Sequence, residues 1–217
     1  MLGKLLKKEF LLCLHPTAPL MILLSALILT PNYPYTVSYF YLTLGIFFIC
    51  LSGRENHDVT FSLTLPIGKK DIVLARVLTT VLLELIQLVA VGLFILLRNT
   101  LTADANGAGM DANLALIAEG FFLFGVFQLV FFPSYYKDVS KVGTSFIKSS
   151  VALFLLVIVE IVFTYSVPLY RDMLDTPDPR HMTEKLLFLL FCVLFYVFAT
   201  WLSVRISQKR FSRQDIR

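Results

Sequence analysis

Six long apolar runs, at residues 17–30, 36–52, 77–97, 113–133, 149–167 and 183–204, recur along the chain, each ended by charges, proline or glycine. A helix satisfies its own backbone hydrogen bonds, so lipid accepts such runs, and about 20 apolar residues cover a hydrocarbon core of about 30 Å. The 217 residues are 57% hydrophobic and 16% charged, with a mean hydropathy of +0.78. Soluble domains are about 45–50% apolar and about 25% charged, so a soluble globular enzyme and a disordered chain are both excluded. Twenty Phe and nine Tyr would make a water-facing surface aggregate, whereas lipid tolerates them. The expected fold is all-α: a polytopic membrane protein, one transmembrane domain over 1–217, with six transmembrane helices. The first two runs fall short of a full span and only PNYPYT separates them, which predicts a tight hairpin with a recessed outer turn.

Residues 1–15, MLGKLLKKEFLLCLH, set Leu2, Leu5, Leu6, Phe10 and Leu12 near helical spacing with Lys4, Lys7, Lys8 and Glu9 between them. This predicts an N-terminal amphipathic interfacial helix. A secretory signal peptide is the rival, opposed by Pro16, Pro19 and the lack of a small-residue cleavage site. Basic residues give the orientation. Lys4, Lys7 and Lys8 flank the first helix, Arg54, Lys69, Lys70 and Arg76 follow the second, Lys137, Lys141 and Lys148 follow the fourth, and Arg205, Lys209, Arg210, Arg213 and Arg217 lie in or beside the 205–217 tail. Fifteen of the 19 Lys and Arg thus share one side, leaving Arg98, Arg171, Arg180 and Lys185 on the other. Both termini are expected in the cytoplasm, and the basic balance needs no nucleic acid. The external loops at 31–35, 99–112 and 168–182 are too short to hold a folded domain. Cys13, Cys50 and Cys192 show neither C-x-x-C nor His/Cys spacing and read as packing residues.

No phosphate-cradling G-x-x-x-x-G-K-[ST], no H-E-x-x-H and no G-x-S-x-G occurs, and His15, His57 and His181 are scattered. The chain is therefore not expected to be an enzyme by itself, nor to hold a metal or cofactor. Within the apolar runs lie Glu84 and Gln87, Glu119 and Gln128, and Glu160. A carboxylate at membrane depth costs at least ~2.5 kcal/mol, so each should face other helices or a wet cavity. Two readings stay open, a polar pathway or proton relay and simple interhelical hydrogen bonding. Glu119, about two turns from the external end, is expected to be partly exposed to water.

The segment 53–76, GRENHDVTFSLTLPIGKKDIVLAR, is the most structured loop. Asn56 or Asp58 can cap a short helix bearing Val59, Phe61 and Leu63, Pro66 and Gly68 break it, and a second helix from about Asp71 runs into the third span. This segment resembles the loop between the second and third membrane helices of ABC-2-type transporter permeases, especially small bacterial ones. The motif L-P-[IV]-x-[KR]-x-x-[IV] followed by a basic residue stands here as Leu65, Pro66, Ile67, Gly68, Lys69, Lys70, Asp71 and Ile72, then Arg76. The six-span layout and basic tail extend the resemblance over the whole chain. It implies a permease in a bacterial cytoplasmic membrane, paired with a second copy or a sister permease. It also implies a cytoplasmic coupling helix in 53–70 that docks on a separate ATPase holding ATP and Mg, with coupling residues Arg54, Glu55, Asp58, Val59, Phe61, Leu63, Pro66 and Lys69. The apolar and aromatic spans suit export of amphipathic peptides or lipid-like compounds. A proton-coupled secondary transporter using Glu84, Glu119 and Glu160, and a scaffold whose loop recruits a partner, remain as alternatives.

Overall fold

The computed structural model describes residues 2–101 and 106–214; Arg217 of the basic tail and part of the 99–112 loop lie outside them. Among the described residues the chain is helical throughout, without strands. Helix α1 (Leu2–Lys8) continues as a π turn over Glu9–Cys13. Pro16 supplies no N–H to carry a helix further, and the chain restarts as α2 (Thr17–Leu23), which tightens into a 3₁₀ segment at Leu24–Leu29. The two pieces, Gly3–Cys13 and Thr17–Leu29, meet at 85°.

Rises of about 1.5 Å per α residue and about 2.0 Å per 3₁₀ residue carry Thr17–Leu29 only about 22 Å, short of the ~30 Å core. Five helices are long and apolar enough to cross a membrane: α3 (Val37–Glu55), α5 (Lys69–Leu101), α6 (Leu114–Tyr135), α7 (Val142–Ser166) and α8 (Met182–Ser212). Of the expected six spans, five are long enough to cross, and the first run makes a sixth only when it is counted together with the α1 piece from which the 85° bend divides it. The short helix α4 (Asp58–Thr64) lies between α3 and α5. α5 is about 50 Å long at helical rise, so its first turns project beyond any hydrocarbon core.

The tight turn after the first run is present, with Asn32 in the left-handed region at φ 54. It is covered by the α5–α6 loop: Asn106 Nδ2 donates to Tyr33 O at 3.0 Å and Gly107 N to Asn32 Oδ1 at 3.2 Å. Asn113 caps α6, its side chain accepting from Leu116 N at 3.1 Å. The 168–182 stretch holds a π turn at Tyr170–Leu174.

α6 is the innermost helix, packed most extensively on α8, then on α7. Its Phe124, Phe127, Phe131 and Phe132 are fully buried. Gly120 lets α3 and α5 approach it, for a Cβ there would fall 2.6 Å from Tyr39 Cε1 and from Leu88 Cδ2. α7 and α8 instead turn Phe154, Ile158, Phe191, Leu194 and Phe198 outward, each about half exposed, which only a lipid or protein partner can cover. The α1 segment and the end of α8 lie with α4 and the start of α5: Lys69 Nζ donates to Gln214 O at 2.5 Å, Gln208 Nε2 to Lys70 O at 3.1 Å, and Lys8 pairs with Asp58.

Candidate functional site

Two groups of polar side chains stand out, one at the end of the bundle that carries the termini and one within the spans. The first is built on α4. His57, at φ 52, makes the left-handed corner that separates α3 from α4. Leu65 is extended (φ −80, ψ 154), as the residue before a proline prefers, and so ends α4 at the bend formed by Pro66. Asp71 then reaches back to Gly68 N at 3.3 Å in the first turn of α5. The two-helix layout of 53–76 thus matches the sequence expectation.

The expected cap does not form. Asp58 makes no capping bond; it turns into the protein, its Oδ1 2.5 Å from Lys8 Nζ and its Oδ2 2.5 Å from Arg76 Nη2. Arg76 Nε lies 2.5 Å from Glu9 Oε2, and none of the four side chains is more than 11% exposed. Burial pushes the Asp58 carboxyl up, yet Arg76 and Lys8 outweigh it and hold the group below the usual carboxylate range. Glu9, Cys13 and Asp58 bring potential metal-ligand atoms within 4.8 Å of one another. Two cations already balance the two carboxylates, so this donor set is satisfied without a metal. The cluster joins three elements, the α1 segment, α4 and α5.

A second correction concerns the docking face. Positions two apart on a helix point about 200° from each other, so Val59 and Phe61 cannot share a side. Val59 is buried and Leu63 packs against the core, whereas Phe61 is 55% exposed. Arg54 and Glu55 are exposed and Pro66 lies at the exposed bend. Lys69 turns away from α4, over the Phe211 ring at 5.9 Å. A cavity of about 160 Å³ beside Lys8, Cys13 and Asp58 and another of about 230 Å³ beside His57, Val139 and Ser140 flank α4 on its two sides.

Within the spans, the structure sorts the five predicted groups into three places. Glu84 is fully buried, its Oε2 accepting from Gln128 Nε2 at 2.5 Å and from Tyr196 Oη at 2.6 Å. Ser203 Oγ donates to Gln128 O at 2.6 Å, so α5, α6 and α8 are cross-linked at this level. Gln87 donates to Ser38 O at 2.8 Å and to Ser25 Oγ at 3.4 Å, fastening the first run to α3 and α5. Glu119 and Glu160 share a third place, a cavity of about 260 Å³ lined otherwise by Thr36 and by apolar and aromatic side chains. Glu160 Oε2 accepts from Thr36 Oγ1 at 3.2 Å and its Oε1 from Met110 N at 3.3 Å, bracing the α5–α6 loop and the turn before α3. Glu119, expected to be partly wet, is only 6% exposed and its Oε2 has no hydrogen-bond partner. The phenylalanines of α6, α7 and α8 close over it.

Lys8, Glu9, Arg76 and Tyr196 are the functional candidates that the sequence did not single out. The first two read as the polar face of a surface helix, and Arg76 only as a charge next to the L-P motif. Tyr196 sits in LFYVF, where nothing marks its hydroxyl as a donor.

A family described as ABC-2 family transporter protein matches the chain over residues 4–212. No curated protein and no solved structure matches it.

Proposed function

The chain belongs to the ABC-2 family of transporter proteins, and from that membership we propose that it is the membrane-spanning permease of an ATP-driven exporter, coupled through α4 to a separate ATPase. It works as a dimer in a bacterial cytoplasmic membrane, with both termini and α4 on the cytoplasmic side, and exports amphipathic peptides or lipid-like compounds. ATP and Mg belong to the partner, because this sequence has no loop to cradle phosphates.

One observation carries the coupling role. α4 is held to the α1 segment and to α5 by the buried Lys8–Asp58, Asp58–Arg76 and Arg76–Glu9 pairs, each at 2.5 Å. A load on α4 therefore moves the first turns of a full span and the N-terminal helix with it. The exposed Phe61 of α4 is the aromatic anchor in this reading, and the exposed Arg54 and Glu55 at the end of α3 are its polar contacts. Glu84 supports the same reading, since its Oε2 is engaged between helices by Gln128 and Tyr196, away from the other membrane carboxyls. Gln128, its partner on α6, lies nine positions from Glu119, about 13 Å along the axis.

The test asks whether a Walker-motif ATPase is encoded beside the chain, co-expresses the two, and measures pull-down and transport in proteoliposomes. Phe61→Ala should weaken ATPase capture by about tenfold and Glu55→Ala by about threefold or less, as central aromatic contacts outweigh rim charges. Asp58→Asn should keep capture within about threefold yet lower transport, because the link to α1 and α5 is lost. Normal capture and transport by all three variants would make α4 a plain connector and end the coupling assignment.

A further inference from the structure

The α7 and α8 helices each pack on α6 and scarcely touch one another. Between them lies the cavity of about 260 Å³, larger than the ~150 Å³ of an engineered apolar cavity that takes up benzene. Its mouth is apolar and faces outward: Val159, Phe163 and Phe191 line it and are 45%, 44% and 59% exposed. Its floor is α6, with Phe122 and Glu119. Tyr170, from the turn after α7, closes the end away from the termini. A groove that opens sideways between two lipid-facing helices admits a hydrocarbon chain from the bilayer without exposing it to water.

The polar content of this groove is one-sided. Two carboxyls, Glu119 and Glu160, line it, and no Lys, Arg or His does among the described residues. Glu160 already accepts from Thr36, Met110 N and Thr164. Glu119 is different: it lines the groove, it is 94% buried, and its Oε2, which lies below the groove surface, has no donor. A buried acceptor left unmatched is unfavourable, and a carboxylate so deep is stabilised by a neighbouring cation. The matching ligand supplies a donor and a positive charge on an apolar stem.

We propose that the α7–α8 groove is a binding site for a long-chain primary ammonium amphiphile, its chain between Phe163, Phe188 and Phe191 and its ammonium on Glu119. Its use as the entry point of the exported compound rests on the permease reading; its existence as a site does not, and the experiment is made on the chain alone. The purified protein in phosphatidylcholine nanodiscs is labelled at neutral pH with a long-chain alkylamine bearing a diazirine at the chain end. The alcohol and the sulfate of the same chain serve as comparisons, and the labelled peptides are mapped.

The amine should label the segments around Phe122, Phe163 and Phe191 about tenfold better than the alcohol, the ratio that ~1.4 kcal/mol gives, and the sulfate least. Glu119→Gln, which keeps the shape and removes the charge, should bring the amine down to the level of the alcohol while the alcohol still labels as in the parent, which shows the groove intact. Val159→Phe, at the exposed mouth, should reduce labelling by all three probes with Glu119 intact. Competition by phosphatidylethanolamine would identify a lipid amine as the occupant, and competition by free alkylamine alone a soluble amphiphile; either supports the assignment. Equal labelling by amine and sulfate, an amine preference that survives Glu119→Gln, or labelling that appears only after a second copy of the chain is dissociated would overturn it. Loss of ATPase docking would leave this result untouched, so the two readings fail separately.

Discussion

Asp175, in the loop before α8, accepts from Asp111 N at 2.7 Å and ties that loop to the one before α6. Burial, with Asp111 close by, pushes its carboxyl up to about 6, against the pull of the Asp111 amide and of Lys185. The folded chain then holds this proton more tightly than the unfolded one, whose aspartates titrate near ~3.9. The contribution is complete below about pH 4 and is lost as pH rises through about 6. A shift of this size corresponds to nearly 3 kcal/mol in a dry site, but Asp175 is only partly buried, and screening brings it to on the order of 1 kcal/mol. Asp175→Asn keeps the acceptor and removes the charge. It should melt about 2–4 °C above the parent at pH 7.5, with the two curves merging below about pH 4; a lower melting point at every pH would show that the charge itself holds the loops together. Residues of this kind were only partly legible. The intramembrane Glu and Gln announce themselves because lipid makes them costly, whereas the partners that satisfy them, Tyr196, Ser25 and Thr36, are ordinary members of apolar or turn sequences. The Lys8–Glu9–Asp58–Arg76 cluster was hidden for another reason: its members come from three segments up to 68 positions apart, and in sequence each looks like a surface charge.

Elements were more legible than residues, because hydropathy and turn chemistry act locally. Pro66 and Gly68 mark the break between α4 and α5, and the structure has it there. The facing of α4 follows from helical spacing: only the i, i+4 pair of Val59 and Leu63 shares a side, so Phe61 points away from them. The helix ends also overran the apolar runs, since α5 and α8 continue past the hydrocarbon into charged turns. Gly120 tests how the central elements are held. An alanine there gains about 1 kcal/mol of helix propensity and, if α6 were loosely packed, would stabilise it. Its Cβ would instead meet Tyr39 and Leu88 at 2.6 Å. The Tyr39 ring is fixed by its hydroxyl, which donates to Leu116 O at 2.9 Å, so α3 and α6 must separate. Overpacking of about 1–3 kcal/mol outweighs the propensity gain. Gly120→Ala should lower the melting temperature by several degrees, and Gly120→Leu should lower it further. An alanine variant more stable than the parent would mean that the three helices are not in register as described.

At the scale of the whole molecule, the chain path and the charge pattern fix one another. α1, α4, the start of α5 and the end of α8 share one end, while the turn at Asn32, the loop at Gly107 and the loop at Asp175 share the other. The short first run therefore passes from one end of the bundle to the other, although by length it is the weakest crossing. An even number of passes returns both termini to one side, and the basic residues are concentrated there. Cytoplasmic loops attract Lys and Arg, so this end is expected inside the cell. The three native cysteines, Cys13, Cys50 and Cys192, are buried and so are shielded from an impermeant label. Single cysteines at the exposed positions Gly107 and Arg180 should react with an impermeant maleimide on intact cells, whereas those at Glu55 and Lys209 should react only after the membrane is opened. Reaction at Lys209 but not at Glu55 on intact cells would place α4 and the C-terminus on opposite sides, breaking the shared end. Reaction at both would invert the bundle and carry α4 away from any cytoplasmic ATPase, so the coupling role would fall together with the orientation.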